Sequence, residues 1–157
     1  MIKLKKDNVL REPLYDEEGN DTGFRFEFDM EDIELPLRID QAYFEHNKNY
    51  RAIKNQLIII GKKEDRKSDG LLTWKERQEL LAYKEYFEKD IKAMDMILGE
   101  GKTMQLLKAM KRKPYYSMFD DICKLLEPLM PKLKNITEDI TIKIKEKYDK
   151  KEDNTLE

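Results

Sequence analysis

The chain is poor in the side chains from which most active sites are built. Its 157 residues include one cysteine, Cys123, one histidine, His46, and six glycines that are scattered rather than gathered into a loop. A single cysteine makes no internal disulfide, which fits a reducing compartment. A lone histidine serving as general base or metal ligand needs other groups converging on it, so the usual catalytic toolkit is thin. No apolar run approaches the roughly 18 residues that cross a bilayer. The opening Met1-Ile2-Lys3-Leu4-Lys5-Lys6 is basic but has no apolar stretch of the signal-peptide kind. The expectation is a soluble cytoplasmic protein that is not an enzyme and carries neither cofactor nor metal.

What the chain has in abundance is charge. Lys and Arg number 31 against 33 Asp and Glu, a formal net charge of −2, and charged residues make up 41% of the chain, against roughly a quarter in an average globular protein. The near-balance argues against a dedicated nucleic-acid binder, which is usually basic throughout. With 39% hydrophobic and 10% aromatic residues the chain can still bury a core. The length suits a single domain over 1–148, followed by a charged tail, 149–157, expected to be disordered.

The patterning predicts a mainly α protein with an N-terminal β-hairpin, an α+β class. Phe24, Phe26 and Phe28 alternate with Arg25 and Glu27, which puts three rings on one face of a strand. The turn formers Asp16 to Gly23 precede it, and Ile2, Leu4, Val9, Leu10, Leu14 and Tyr15 supply a partner strand, giving a hairpin over roughly 2–29. The period then changes. Ile39, Tyr43, His46, Tyr50, Ile53, Leu57 and Ile60 recur at steps of four and three, a seam along a helix of about 37–61 that leaves Arg38, Glu45 and Lys48 for solvent. Thr73-Trp-Lys-Glu76 is a capping box opening a second helix, with Leu80, Tyr83, Phe87, Ile91, Met94 and Leu98 on its apolar face and Gly99 ending it. Two long helices joined by a polar loop predict an antiparallel helical hairpin over 37–98. Shorter C-terminal helices fill 102–148: about 102–112, about 116–130, and one opened by Asn135 and Glu138.

Four segments invite a functional reading. Gly99-Glu-Gly-Lys-Thr103 ends like a phosphate-binding loop, but the position five before Gly101 is Met96, within a helix, so the glycines read as the end of one helix and the start of the next. His46 reads as a seam histidine bonding across the helical hairpin, and Cys123 as a small buried hydrophobe. The acidic runs 16–21 and 29–34 lack the ligand spacing of a calcium loop. Lys108, Lys111, Arg112 and Lys113 ahead of Tyr115 and Tyr116 suit single-stranded nucleic acid, but equally a helix C-terminus with favourable cations.

Sharper than any of these is a resemblance in order and texture. Asn8-Val-Leu-Arg-Glu-Pro-Leu-Tyr-Asp-Glu-Glu-Gly-Asn20 leads to Phe26-Glu-Phe-Asp29; Asn55-Gln-Leu-Ile-Ile-Ile-Gly61 closes the first long helix; Phe87 through Ile97-Leu-Gly-Glu-Gly101 closes the second. Pro114-Tyr-Tyr-Ser-Met-Phe-Asp-Asp-Ile-Cys-Lys-Leu-Leu-Glu127 and Ile140 to Tyr148 complete the pattern. Read together, these resemble the tail assembly chaperones of siphophages and prophages of Gram-positive bacteria. The resemblance implies a non-catalytic role: coating the long hydrophobic helices of the tape measure protein, bringing tail tube subunits to it, working in the host bacterial cytoplasm and being absent from the mature virion. It allows self-association and asks for neither nucleic acid nor membrane. Candidate partner-binding residues for such a role are the Phe24, Phe26 and Phe28 face and the segment carrying Met104, Met110, Tyr115, Tyr116 and Phe119. The competing class is a phage-encoded inhibitor or anti-defence protein, also acting by protein binding.

Overall fold

The computed structural model describes residues 1–3 and 8–155. Strands β1 (Val9–Tyr15) and β2 (Asp21–Asp29) pair antiparallel, from Val9 opposite Asp29 to Tyr15 opposite Asp21. The pairing is irregular between Pro13 and Tyr15, where proline has no N–H to give. In the connecting turn the Asp16 carboxylate accepts from the N–H groups of Glu18 and Asn20, while Gly19 takes a φ of +83°. The alternation on β2 buries all three phenylalanines, with Phe24 and Phe26 edge to face at 5.1 Å. The hairpin therefore starts at Val9. Leu4, counted toward the first strand, lies outside the described residues, and Ile2 is exposed.

Helices α1 (Glu34–Gly61) and α2 (Trp74–Leu98) form the antiparallel hairpin. Arg38 donates to the Met96 carbonyl near the base, His46 meets Asp90 midway, and Ile53 and Ile60 cluster with Tyr86 and Ala82 toward the tip. Helix α1 begins at Glu34, upstream of the expected 37, because the Asp32 carboxylate accepts from the Glu34 N–H and pairs with Arg38 at 2.7 Å. The capping box at α2 is complete: Thr73 accepts from the Glu76 N–H, and Glu76 from that of Thr73.

Two seams differ from the sequence pattern. On α1 the buried line is Leu35, Ile39, Ala42, His46, Asn49, Ile53 and Ile60; Tyr43 and Tyr50 stand at its edge, partly exposed. On α2 it is Ala82, Tyr86, Asp90, Ala93, Met94, Ile97 and Leu98, with Leu80 turned out to solvent. Small alanines let the two helices approach, and the larger rings are displaced to the flank.

The remaining helices are α3 (Lys102–Ala109), α4 (Met118–Leu126), α5 (Met130–Lys134) and α6 (Ile136–Thr155). Helix α3 stops short of 112 because Lys111 turns left-handed at φ 56°, which lets the Arg112 N–H reach the Leu107 carbonyl. The expected helix over 116–130 is two pieces, since Pro128 supplies no N–H and Pro131 opens α5 in its first turn. Backbone helix continues to Thr155, beyond the 148 at which order was expected to end.

Burial falls into two clusters. The larger joins the three phenylalanines of β2 to the base of the hairpin and to α3, α4, α5 and the first turn of α6. The smaller holds Ile53, Ile60, Ala82 and Tyr86 at the tip, with Leu57, Trp74, Tyr83 and Phe87 packed against it. A 28-residue α1 is about 42 Å long, so its outer half extends as an arm packed mainly on α2.

Candidate partner-binding surface

The hairpin has two broad faces of opposite character. One carries Gln41, Glu45, Lys48 and Asn49 from α1 beside Lys89 and Lys92 from α2, which with Ala93 and Met96 line a cleft of about 420 Å³. The other is aromatic. Tyr43, Tyr50 and Leu57 lie seven residues apart on α1; Leu80, Tyr83 and Phe87 lie three and four apart on α2. Toward the base this second face is covered by α4 and the turn before it. Phe119 stacks flat on the His46 ring at 4.1 Å and meets Tyr43 edge-on at 5.7 Å. Tyr116 lies 5.9 Å from the Tyr86 ring. Beyond Tyr116 the groove between α1 and α2 is uncovered. Tyr50 is 42% exposed and Leu80 55%, with Leu57, Tyr83 and Phe87 half-buried between them.

The tyrosine hydroxyls here are held neutral. Burial, and then the Asp90 carboxylate, raise Tyr86 above the ordinary phenol range; burial and the Tyr50 hydroxyl do the same for Tyr116. Burial likewise pushes the Cys123 thiol up, which suits the inert filler expected of it.

Under the covered half sits a polar knot. His46 Nδ1 is 2.9 Å from Asp90 Oδ2, Asn49 Nδ2 donates to Asp90 Oδ1 at 3.1 Å, and His46 Nε2 faces the exposed Asp120 at 3.6 Å. Asp90 is 1% exposed. An imidazole oriented by one carboxylate and facing a second could shuttle a proton, but Phe119 covers its ring and His46 is 9% exposed. The arrangement is that of a seam histidine tying two helices together. Among the described residues no group of three or more His, Cys, Asp or Glu side chains is placed to hold a metal ion.

The candidate residues are divided by the structure. Phe24, Phe26, Phe28 and Phe119 are core, so they present no surface to a partner in this fold. Met104 and Tyr116 are about half exposed, at 47% and 51%. Met110 and Tyr115 are partly buried against the larger core, with the Arg112 guanidinium 3.6 Å over the Tyr115 ring. Tyr116 belongs to the aromatic groove. Met104 lines a different cleft, of about 550 Å³, with Lys108, Lys111, Arg112 and Lys113. Sequence reading missed the groove residues Leu57, Leu80 and Tyr83 as surface because their spacing assigns them to the seam. It also missed Asp90, whose place four after Tyr86 and seven before Ile97 is a seam position.

The Gly-Lys-Thr segment follows a helix, as its spacing predicted. The N–H groups of Gly101 and Thr103 donate to the Asp95 carboxylate at 3.1 and 2.9 Å, so the chain's own anion occupies that helix start.

No family model, curated protein or solved structure matches the chain. No described helix is long and apolar enough to cross a membrane.

Proposed function

We propose that this chain is a non-catalytic phage tail assembly chaperone that binds the tape measure protein and tail tube subunits in the host cytoplasm. Support comes from one observation above all. On a surface dominated by charge, the arm leaves large apolar side chains open along a groove shaped by two helices: Tyr50 and Leu80 are exposed, with Leu57 and Tyr83 half-buried between them. Exposed apolar surface of that kind is what a protein needs to hold hydrophobic, helix-forming segments of another chain. The order of segments quoted from Asn8 to Tyr148 points to the same family. The test is co-expression with the tape measure protein encoded beside it. Soluble yield of that client should rise several-fold, and the two should co-purify with little dependence on salt, since apolar contact dominates. A client equally soluble alone, with no complex on size exclusion, would leave the inhibitor class as the better reading.

A further inference from the structure

We infer that the outer half of the aromatic groove seats one amphipathic helix of another protein, with acidic residues flanking its apolar stripe. This deepens the binding role proposed above and rests on it. The shape of the occupant is given by the chain itself. Farther in, the same groove is covered by α4, a short helix whose Phe119 packs on Tyr43 and His46 while the carboxylate next to it, the exposed Asp120, reaches back to His46 Nε2 at 3.6 Å. The uncovered part continues that track past Tyr116, from Tyr50 to the end of α1, a span of about 17 Å, room for roughly three helical turns. Its floor is apolar and its partial exposure leaves rings and an aliphatic side chain with one side unpacked.

The charge of the occupant follows from the rims. Lys54 stands one turn from both Tyr50 and Leu57 on α1, and Lys84 one turn from Leu80 on α2, on the solvent side of the groove. Both are exposed, and neither is in an ion pair among the described residues. Glu76 at the tip is tied back into the capping box, and Glu88, one turn along α2 from Lys84, is in no ion pair with it. A helix entering with Asp or Glu on either side of its apolar stripe would pair with these lysines; one flanked by Lys or Arg would be repelled.

The test uses the full chain and two labelled peptides of about 14 residues with the same apolar stripe, one flanked by Glu and one by Lys, read by fluorescence anisotropy. At low ionic strength the Glu-flanked peptide should bind at least about tenfold more tightly, and added salt should narrow that preference while leaving the apolar contact in place. Leu80→Asp should abolish that binding, and Lys54→Glu with Lys84→Glu should reverse the preference. Lys48→Glu with Lys92→Glu, on the polar face, should change neither. Circular dichroism checks that each variant folds, and Leu80→Ala replaces Leu80→Asp if that one does not. Equal binding of both peptides, or of neither, overturns the proposal. Concentration-dependent dimerisation lost in Leu80→Asp, with no peptide bound, overturns it in favour of a second copy of this chain. The tape measure protein separates the two levels. If it co-purifies with wild type and equally with Leu80→Asp, the chaperone role stands and the groove assignment falls. If it never co-purifies while the Glu-flanked peptide binds, the groove stands and the client was wrong.

Discussion

Asp90 is taken out of water and given two donors from the neighbouring helix, the His46 ring and the Asn49 amide. Removing the carboxylate would strand both donors in a dry seam, so Asp90→Ala should cost about 2–4 kcal/mol in denaturant unfolding. Asp90→Asn, which keeps an acceptor oxygen, should cost clearly less. The tyrosines make an alkaline prediction whose sign is fixed by the direction of their shifts. An unfolded tyrosine ionises near pH 10, whereas Tyr86 and Tyr116 keep their protons to higher pH in the fold. Their contribution is therefore complete below about pH 10 and is lost as pH rises toward the folded values. Unfolding titrations at pH 9 and 11 should show the loss, and Tyr86→Phe should reduce it. A pH-independent stability across that window would contradict the burial of Tyr86. Of these residues the sequence flagged His46 as a seam residue bonding across the hairpin. It could not name Asp90, because an aspartate at a seam position reads as a solvated interruption until its donors are known.

At the scale of elements, the strands, the two long helices and the Thr73 cap were legible because each has a local cause: alternation, a three-and-four period, a side-chain cap. Which edge of each helix faces the other was not. Rings outrank alanines in any hydrophobic count, yet Ala42, Ala82 and Ala93 lie in the interface while Tyr43, Tyr50 and Leu80 lie beside or outside it. Close helix approach decides this, and it depends on both partners at once. The same misplacement hid the groove. Ile53 was assigned to the seam and is 4% exposed, so Ile53→Ala should destabilise by roughly 2–4 kcal/mol. Thr73→Ala should remove the α2 cap for about 1 kcal/mol. An Ile53→Ala cost near zero in thermal or chemical unfolding would mean that the tip cluster adds nothing to the fold.

The whole molecule has a well-packed base and a thinly packed arm. Four buried side chains hold the tip together, against eighteen in the larger cluster. Local opening should therefore begin at the tip. Native-state hydrogen exchange is expected to show amides of 53–60 and 78–86 exchanging at least about tenfold faster than those of 35–46 and 93–98. Uniform protection along both helices would refute the division.

The grip on Asp90 has a mechanical consequence. Two donors three residues apart on α1 close on one carboxylate of α2, which indexes the helices against each other like a single tooth in a rack. A slip of one heptad, about 10 Å, would set that carboxylate against Ile39 and Ala42 in one direction, neither of which can donate, or against Ile53 and Gln56 in the other, where one donor of the two is lost. Sliding either way thus gives up at least one of these two bonds, and a load applied at the far end tilts the arm as a lever before it shifts the register. The outermost contact of the body with the arm is the Tyr116 ring beside Tyr86, so the first body segment to feel that load is the turn before α4.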